Sequence, residues 1–482
     1  MKESNQPLEQ LKQIRIEKLK KLKSLGVNPF TSKGKFNCLK IKDARKKEIG
    51  SIVSVHGRIR SIRAFGKLSF LKLEDYSGQI QLAVKGELSE LDKKVFDLLD
   101  IGDFIEVEGK LFLTKTEELT VHVQKLNLLT KSIRPLPSEH FGLKDEEDRF
   151  RQRYVDLILN KDLRDLFVKK AKFWHLIRDF MIENGFLEVE TPVLENTAGG
   201  ADANPFVTHH NAFDIDVYLR ISMGELWQKR LMVAGFDKTF EIGRQFRNEG
   251  LSREHLQDYT QMEFYWAYAN YKDGMRLVEQ MYKKVAKGVF NTLEFEIGDH
   301  RVDLGKEWEI IDYRTIIKEK MGLDIDSVTE AELKSKLDEL HVKYEASDKR
   351  GRLIDLIWKQ IRKGISGPAF LVGHPIEVSP LAKRIDDSNY VERYQIILAG
   401  SEMGNGYSEL NDPIDQKERF ESQQKLRDAG DAEAQMEDND FVRALEYGMP
   451  PVTGFGVSER LFSFLANKSV RECVLFPLLK PE

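Results

Sequence analysis

Arginines, carboxylates, a histidine and aromatics crowd into one stretch, FEIGRQFRNEGLSREHLQDYTQMEFY, from Phe240 to Tyr265. Phe240, Ile242, Gln245 and Phe246 fit a partly buried strand, Asn248 to Asp258 is polar, and Thr260 to Tyr265 resumes an apolar-polar alternation. Arg247 and Glu249 therefore sit where a hairpin begins to turn. A guanidinium fixed at a strand end can hold phosphate oxygens in a bidentate fork and stabilise the charge that builds when a carboxylate attacks phosphorus. Tyr259 offers a flat face to a purine, and Glu249 and His255 can exchange hydrogen bonds with base, ribose or phosphates. An isolated Arg-Asn-Glu also has an ordinary reading, as surface charges facing water. The rest of the chain decides between the two.

The elements that must position these groups fall into a helix, a barrel and a larger α+β region. Leu8, Leu11, Leu19 and Leu22 share one face of a helix ending near Gly26, where Asn28-Pro29 blocks continuation. From about Ser51 to Leu129 the pattern changes to five short alternating runs separated by turns, which predicts a small closed barrel, OB-fold or SH3-like. An Arg-Pro-Leu-Pro linker at 134–137 follows. This divides the chain into a basic helical appendage at 1–48, a five-stranded barrel at 49–133, a linker at 134–140 and a large domain at 141–482. In the large domain Leu166, Phe173, Ile177 and Phe180 recur at helical spacing ahead of the strand GFLEVET. Neither GxxxxGK[ST] nor GxGxxG occurs, so an antiparallel sheet flanked by helices is expected rather than a doubly wound parallel one. Residues 329–363 read as a helical excursion.

Of 482 residues, 41% are hydrophobic and the net charge is −4, an ordinary soluble composition with no global sign of nucleic-acid binding. Between Lys12 and Lys47, however, thirteen Lys or Arg stand against only Glu17 and Asp43. Such a run is either a solvated helix face or an RNA contact. Cys38 and Cys473 have no metal-ligand spacing and are too few for a disulfide framework, which points to a reducing compartment. No long apolar run or signal-peptide core is present, so a cytoplasmic, non-membrane protein is expected.

The Phe240–Tyr265 stretch resembles motif 2 of the class II aminoacyl-tRNA synthetases, specifically the bacterial class II lysyl-tRNA synthetases. Motif 1 is matched by GFLEVETP from Gly185 to Pro192, and motif 3 by GFGVSERLFSFL from Gly454 to Leu465. Lysyl-type segments lie between them: GGADANPFVTHHN from Gly199, YLRISMGELWQKRL from Tyr218, EMGNGYSELNDP from Glu402 and RALEYGMPP from Arg443. The resemblance breaks the tie among barrels in favour of an OB-fold that binds the tRNA anticodon. There it assigns Arg63, Phe70, Gln81 and Glu118, whose separate alternatives are core packing for Phe70 and exposed strand polarity for Gln81.

The same resemblance implies a lysine–tRNA ligase that makes lysyl-adenylate from L-lysine and ATP and passes the lysyl group to the terminal adenosine of lysine tRNA. It places ATP at Arg247, Glu249, His255, Tyr259, Glu402 and Arg460, with Arg247 and Arg460 catalytic. It places lysine at Glu225, Glu263, Tyr265, Asn405, Tyr407 and Glu409. By residue chemistry alone, Glu409 is as readily a helix N-terminal charge. The resemblance further implies Mg2+ at Glu402, and a homodimer. Three departures stand out: Leu256-Gln257-Asp258-Tyr259 in place of Asn-Pro-Glu-Phe, Ser458-Glu459 in place of Ile-Asp, and Gln395 where a second metal-binding glutamate is expected. A neutral amide is a poorer ligand for a hard dication. The rival readings are an aspartyl- or asparaginyl-type synthetase, a lysine ligase acting on a protein such as elongation factor P, and a non-catalytic RNA-binding paralogue.

Overall fold

The computed structural model describes residues 7–481 except 87, 138–141, 144, 202, 251, 253, 346–347 and 429–434; the side chains of Glu225 and Leu426 also lie outside the described set. Two units emerge, Met1–Leu159 and Asn160–Glu482.

In the first unit, an alternation of buried with more exposed positions, clearest in β1 and interrupted by buried runs in β3 to β5, builds five strands: β1 (Ile52–Phe65), β2 (Leu68–Asp75), β3 (Gly78–Lys85), β4 (Phe104–Leu113) and β5 (Leu119–Thr130). They close into a barrel in the order β1-β2-β3-β5-β4. Val53, Val55, Leu71, Leu73, Leu82, Val107 and Val123 fill its interior, leaving the intervening residues outside. This is the five-stranded Greek-key closure of an OB-fold. The helix Leu8–Ser24 buries Leu22 and Arg15, and Arg15 donates to the carbonyl of Ser132 at 3.3 Å. Lys18 pairs with Asp100 at 2.5 Å. The expected leucine stripe is therefore only partly used. Leu8 is exposed, and charged contacts do part of the pinning.

The second unit begins with the helix Lys161–Glu183 and the short strand β6 (Leu187–Glu188). Strands β7 (Leu194–Glu195), β8 (Val207–His210) and β9 (Ile215–Leu219) form a small sheet of their own. After the helix Glu225–Val233 come β10 (Lys238–Phe246) and β11 (Asp258–Ala267), then the helix Tyr271–Phe290 and the hairpin β12 (Glu294–Ile297) and β13 (His300–Asp303). β14 (Glu309–Asp312) leads into the helices Tyr313–Met321, Glu330–Glu339 and Arg350–Ile361. β15 (Ala369–Pro375), β16 (Tyr390–Leu398) and β17 (Ser401–Ser408) follow, then two helices and β18 (Val452–Ser458).

Eight of these strands form one sheet, ordered β14-β15-β16-β17-β18-β11-β10-β6. Its interior pairings are antiparallel, as expected, but the edge pairings β14–β15 and β10–β6 are parallel. Crossover segments, which the local pattern cannot register, separate the partners of each parallel pair. One face packs Phe240, Met262, Phe264, Tyr394, Phe455 and Val457 against Phe173, Ile177, Val278 and Met281. The side chains one residue out of phase point to the other face, and that face carries the candidate site.

Candidate active site

Cross-strand register assembles the site. Glu263 on β11 pairs with Gly456 on β18, which pairs with Asn405 on β17, which pairs with Gln395 on β16. One step along, Tyr265 pairs with Gly454, then Tyr407, then Arg393. Residues directly opposite one another share a face, so both rows line the floor of one cleft of about 1530 Å3. Arg247, Glu249, His255, Tyr259, Glu263, Tyr265, Glu402, Asn405, Tyr407, Glu409 and Arg460 all line this cleft. Glu225 opens the helix Glu225–Val233, but its side chain lies outside the described residues.

Gly454 makes room at the centre. A Cβ there would run into Oε1 of Glu409 and lie 2.8 Å from the ring of Tyr265. Glu409 is 1% exposed and forms an ion pair with the fully buried Lys229. Burial pushes the Glu409 carboxyl up to about 7, with Lys229 opposing the shift. The ammonium of Lys229 also lies 5.6 Å from the Tyr407 ring centroid and 5.7 Å from that of Phe441. The burial of Glu409 removes the helix N-terminal alternative. Glu263, also buried, accepts hydrogen bonds from Met223 N at 2.9 Å, Gln261 Nε2 at 2.7 Å and Ser222 Oγ at 3.2 Å. Its carboxyl is raised by burial despite these donors. It thereby holds the loop that leads into Glu225. Asn405 accepts from Arg393 Nε at 2.8 Å.

At the other end of the cleft the hairpin turns as the sequence suggests. Arg247 N donates to Gln257 O at 2.7 Å and closes the turn, while its Nε donates to Ile221 O at 3.3 Å. The guanidinium carbon lies 5.8 Å from the Tyr259 ring centroid. Gln257 Nε2 donates to the Glu249 carbonyl at 3.0 Å. His255 is held through Nδ1 by Ser252 Oγ at 2.7 Å, and burial followed by the charge of Arg460 lowers its pKa. Arg460 donates to the Glu402 carbonyl at 3.2 Å and pairs with Glu254. Behind it the buried Glu459, at the position of the departure from Ile-Asp, pairs with Lys170 and accepts from Thr260 N at 3.2 Å. This acid clamps the start of β11 to the end of β18 and fixes where Arg460 emerges.

Glu402 and Asn405, three residues apart, would face opposite sides of a regular strand. A register shift between Gln395 and Ile397 brings both onto the cleft side. One oxygen of Glu402 accepts from Gln395 Nε2 at 3.1 Å, and the other lies 3.3 Å from Arg362 Nη1. Gln395 in turn shares its Oε1 with His374 Nε2 at 3.0 Å. Burial holds His374 well below its usual range, so it is neutral. No cluster of three His, Cys, Asp or Glu suited to a metal exists among the described residues. The donors at Glu402 thus comprise one carboxylate, both of whose oxygens face protein donors. That set does not fit an ion held by the protein alone.

On the barrel, Arg63 pairs with Phe70 across β1 and β2, and Lys72 pairs with Gln81 across β2 and β3. Gln81 Nε2 donates to Thr120 Oγ1 at 2.9 Å. Gln81 and Glu118 border a groove of about 500 Å3 together with Lys42, Arg45 and Lys72. Of the four barrel residues singled out from sequence, Arg63, Phe70 and Gln81 thus lie on the outer side of neighbouring strands, and Glu118 lies in the turn just before β5.

Three residues were not singled out from sequence: Gly454 and Arg362, which line the large cleft, and Lys229, which is buried behind Glu409. Lys229 lies four residues after Glu225 on one helix, a spacing that carries a signal. Gly454 needed the register of three strands, and Arg362 is delivered by the excursion, whose local pattern shows only a helix. Nearby, buried Glu195 accepts from Trp227 Nε1 at 2.8 Å, and burial lifts its carboxyl to about 8.

Residues 145–480 match the family described as tRNA synthetases class II (D, K and N), and residues 53–129 match the OB-fold nucleic acid binding domain. The chain is 42% identical to the lysine–tRNA ligase of Thermosipho africanus over 98% of its own length and 97% of that protein's. It is also 42% identical to the lysine–tRNA ligases of Thermotoga maritima, with 98% and 97% covered, and of Bacillus cytotoxicus, with 97% and 96% covered.

Proposed function

Since the chain belongs to the class II tRNA synthetases of the D, K and N group, we infer that it is a lysine–tRNA ligase, an ATP-dependent enzyme that activates lysine and transfers it to tRNA. The single observation that carries the amino-acid assignment is the buried Glu409 on the floor of a cleft whose far end holds Arg247 and Arg460. Glu263 and Glu409 against Lys229 leave one negative charge uncompensated when both acids are ionised, and the ε-ammonium of lysine completes the balance. A side chain lacking that ammonium would leave a buried charge unpaired, a strong basis for rejection. An aspartate or asparagine substrate would face carboxylates, which disfavours the rival synthetase readings.

In the reaction, Tyr265, Tyr407 and Asn405 line the path of the lysine side chain, and Glu225 takes the α-ammonium. Tyr259 stacks on adenine, with Glu249 and His255 hydrogen-bonding nearby. The lysine carboxylate attacks the α-phosphorus in line, breaking its bond to the pyrophosphate oxygen. Arg247 and Arg460 stabilise the charge spread over the phosphoryl oxygens. No side-chain nucleophile takes part, and positioning supplies most of the rate. A hydroxyl of the tRNA terminal ribose then attacks the mixed anhydride and AMP departs. The Mg2+ expected at Glu402 enters as part of the ATP complex, as substrate, because the donors at Glu402 do not hold an ion by themselves.

The barrel, at about 49–133, binds the anticodon of lysine tRNA through Phe70 stacking and hydrogen bonds from Arg63, Gln81 and Glu118. The catalytic domain follows the linker at 134–140. A homodimer is supported by exposed apolar residues in and around the motif 1 region, among them Ile182, Leu187, Val207 and Phe213. Among the described residues no helix is long and apolar enough to cross a membrane. A cytoplasmic location suits an enzyme with two free cysteines. Charging of lysine tRNA with radiolabelled lysine tests the assignment: lysyl-tRNA should accumulate with ATP and release AMP, and failure to charge that tRNA would refute it.

A further inference from the structure

The strongest signal outside the roles already assigned is Arg362. It sits in the short turn Arg362–Gly364 that ends the helical excursion. Two hydrogen bonds of 2.8 Å tie the segment after this turn to the β16–β17 connection, from Ala399 N to Ser366 O and from Gly400 N to Ile365 O. The approach is close, since a Cβ on Gly400, whose φ is +71°, would lie 3.1 Å from Lys363 Cα. The excursion is thereby locked beside the strand that carries Glu402. Arg362 lines the large cleft, with Nη1 at 3.3 Å from Glu402 Oε1. Its Nε is buried and has no hydrogen-bond partner among the described residues. The part of this guanidinium left open, 18% of the side chain, lies in a cleft lined by Arg460 and His255 and can take an anionic oxygen.

The neighbours of Glu402 explain why a guanidinium sits there. Gln395 contributes an amide where a carboxylate would add negative charge, and its hydrogen bonds run to His374 and Glu402. A divalent ion held beside Glu402 by the protein would have to displace both Arg362 and Gln395 from one carboxylate. A guanidinium delivers fixed positive charge and planar donors without that displacement. We propose that Arg362 occupies, with a permanent cation, the place at Glu402 that a protein-held second divalent ion would need, and that it binds the phosphates of ATP. The inference rests on this cleft being the ATP site, but not on which amino acid is activated.

The test uses the full-length protein with α,β-methylene ATP and omits the amino acid. Calorimetry in EDTA should detect nucleotide binding by the wild type. Arg362→Met should weaken that binding about tenfold or more, the scale of one charge-assisted contact, and Arg362→Lys should retain part of it. Titration with Mn2+, followed by electron paramagnetic resonance, should count a single ion per bound nucleotide in the wild type. The double variant Arg362→Met with Gln395→Glu should take up a further ion. Unchanged nucleotide affinity in Arg362→Met would overturn the proposal, and so would the same ion count in wild type and double variant. Gln395→Glu alone keeps the count interpretable should the double variant not fold, since the guanidinium still in place should hold it at the wild-type value. Lysine-dependent activity of the wild type reports separately on the functional reading.

Discussion

Lowering the pH should weaken lysine binding through the two buried acids that face the ε-ammonium, Glu409 and Glu263. Glu409 has an ordinary carboxyl value of 4.5, which burial raises to about 7 even with the ammonium of Lys229 against it. Glu263 faces it as a second acid and pushes in the same direction. With a midpoint of about 7, the ionised fraction of Glu409 is roughly 0.9 at pH 8, 0.5 at pH 7 and 0.1 at pH 6. If lysine binds the ionised form, its KM should rise about tenfold from pH 8 to pH 6. The sign for stability is the reverse. A carboxyl whose folded-state value is raised contributes stability that is complete at low pH and is lost as the pH rises from about 4.5 through about 7. Affinity for lysine and stability of the free enzyme should therefore move in opposite directions across this window. The assay is lysine-dependent pyrophosphate exchange at saturating ATP, with KM determined at pH 6, 7 and 8 for the wild type and Glu409→Gln. The variant should bind lysine weakly and show a shallower slope, since burial also raises Glu263. A flat wild-type profile, or the same slope in Glu409→Gln, would rule out Glu409 as a group that reads the lysine ammonium.

Arg247→Ala should slow pyrophosphate exchange by at least about a hundredfold, the scale of a lost transition-state contact, with an unchanged thermal melt by circular dichroism. Gly454→Ala should raise the lysine KM more than about tenfold, because its methyl group would collide with Glu409 and Tyr265; steady-state kinetics over lysine concentration checks this. Phe70→Ala should raise the tRNA KM in charging assays by about tenfold, in line with the loss of one stacked base.

Much of this architecture was legible in the sequence because its signals are local. The alternation in β1 to β5 marks a barrel interior with period two, and the polar break between Phe246 and Thr260 announces the turn that presents Arg247. Glu263 and Tyr265 could be placed on one face from their spacing alone. What stayed hidden depends on register between distant segments. Gly454 matters only because Tyr265 and Tyr407 flank it on neighbouring strands. Glu402 reaches the cleft through a bulge, contrary to the parity of its position relative to Asn405. Arg362 lies in an excursion whose helices look like ordinary packing, and only the connection at Gly400 brings it to Glu402. The parallel edge pairs were missed for the same reason, since chain direction between distant strands leaves no mark in hydropathy. Glu263 was legible as an acid in the pocket, but its three protein donors, which tie down the loop before Glu225, were not.

In the proposed function two arginines activate ATP for attack by an amino acid whose side-chain ammonium is read by Glu409 and Glu263. Pyrophosphate exchange measured with each of the twenty amino acids in turn tests it most directly. Lysine alone should sustain exchange well above background. Exchange driven by aspartate or asparagine, or by no amino acid at all, would rule out a lysine-specific site.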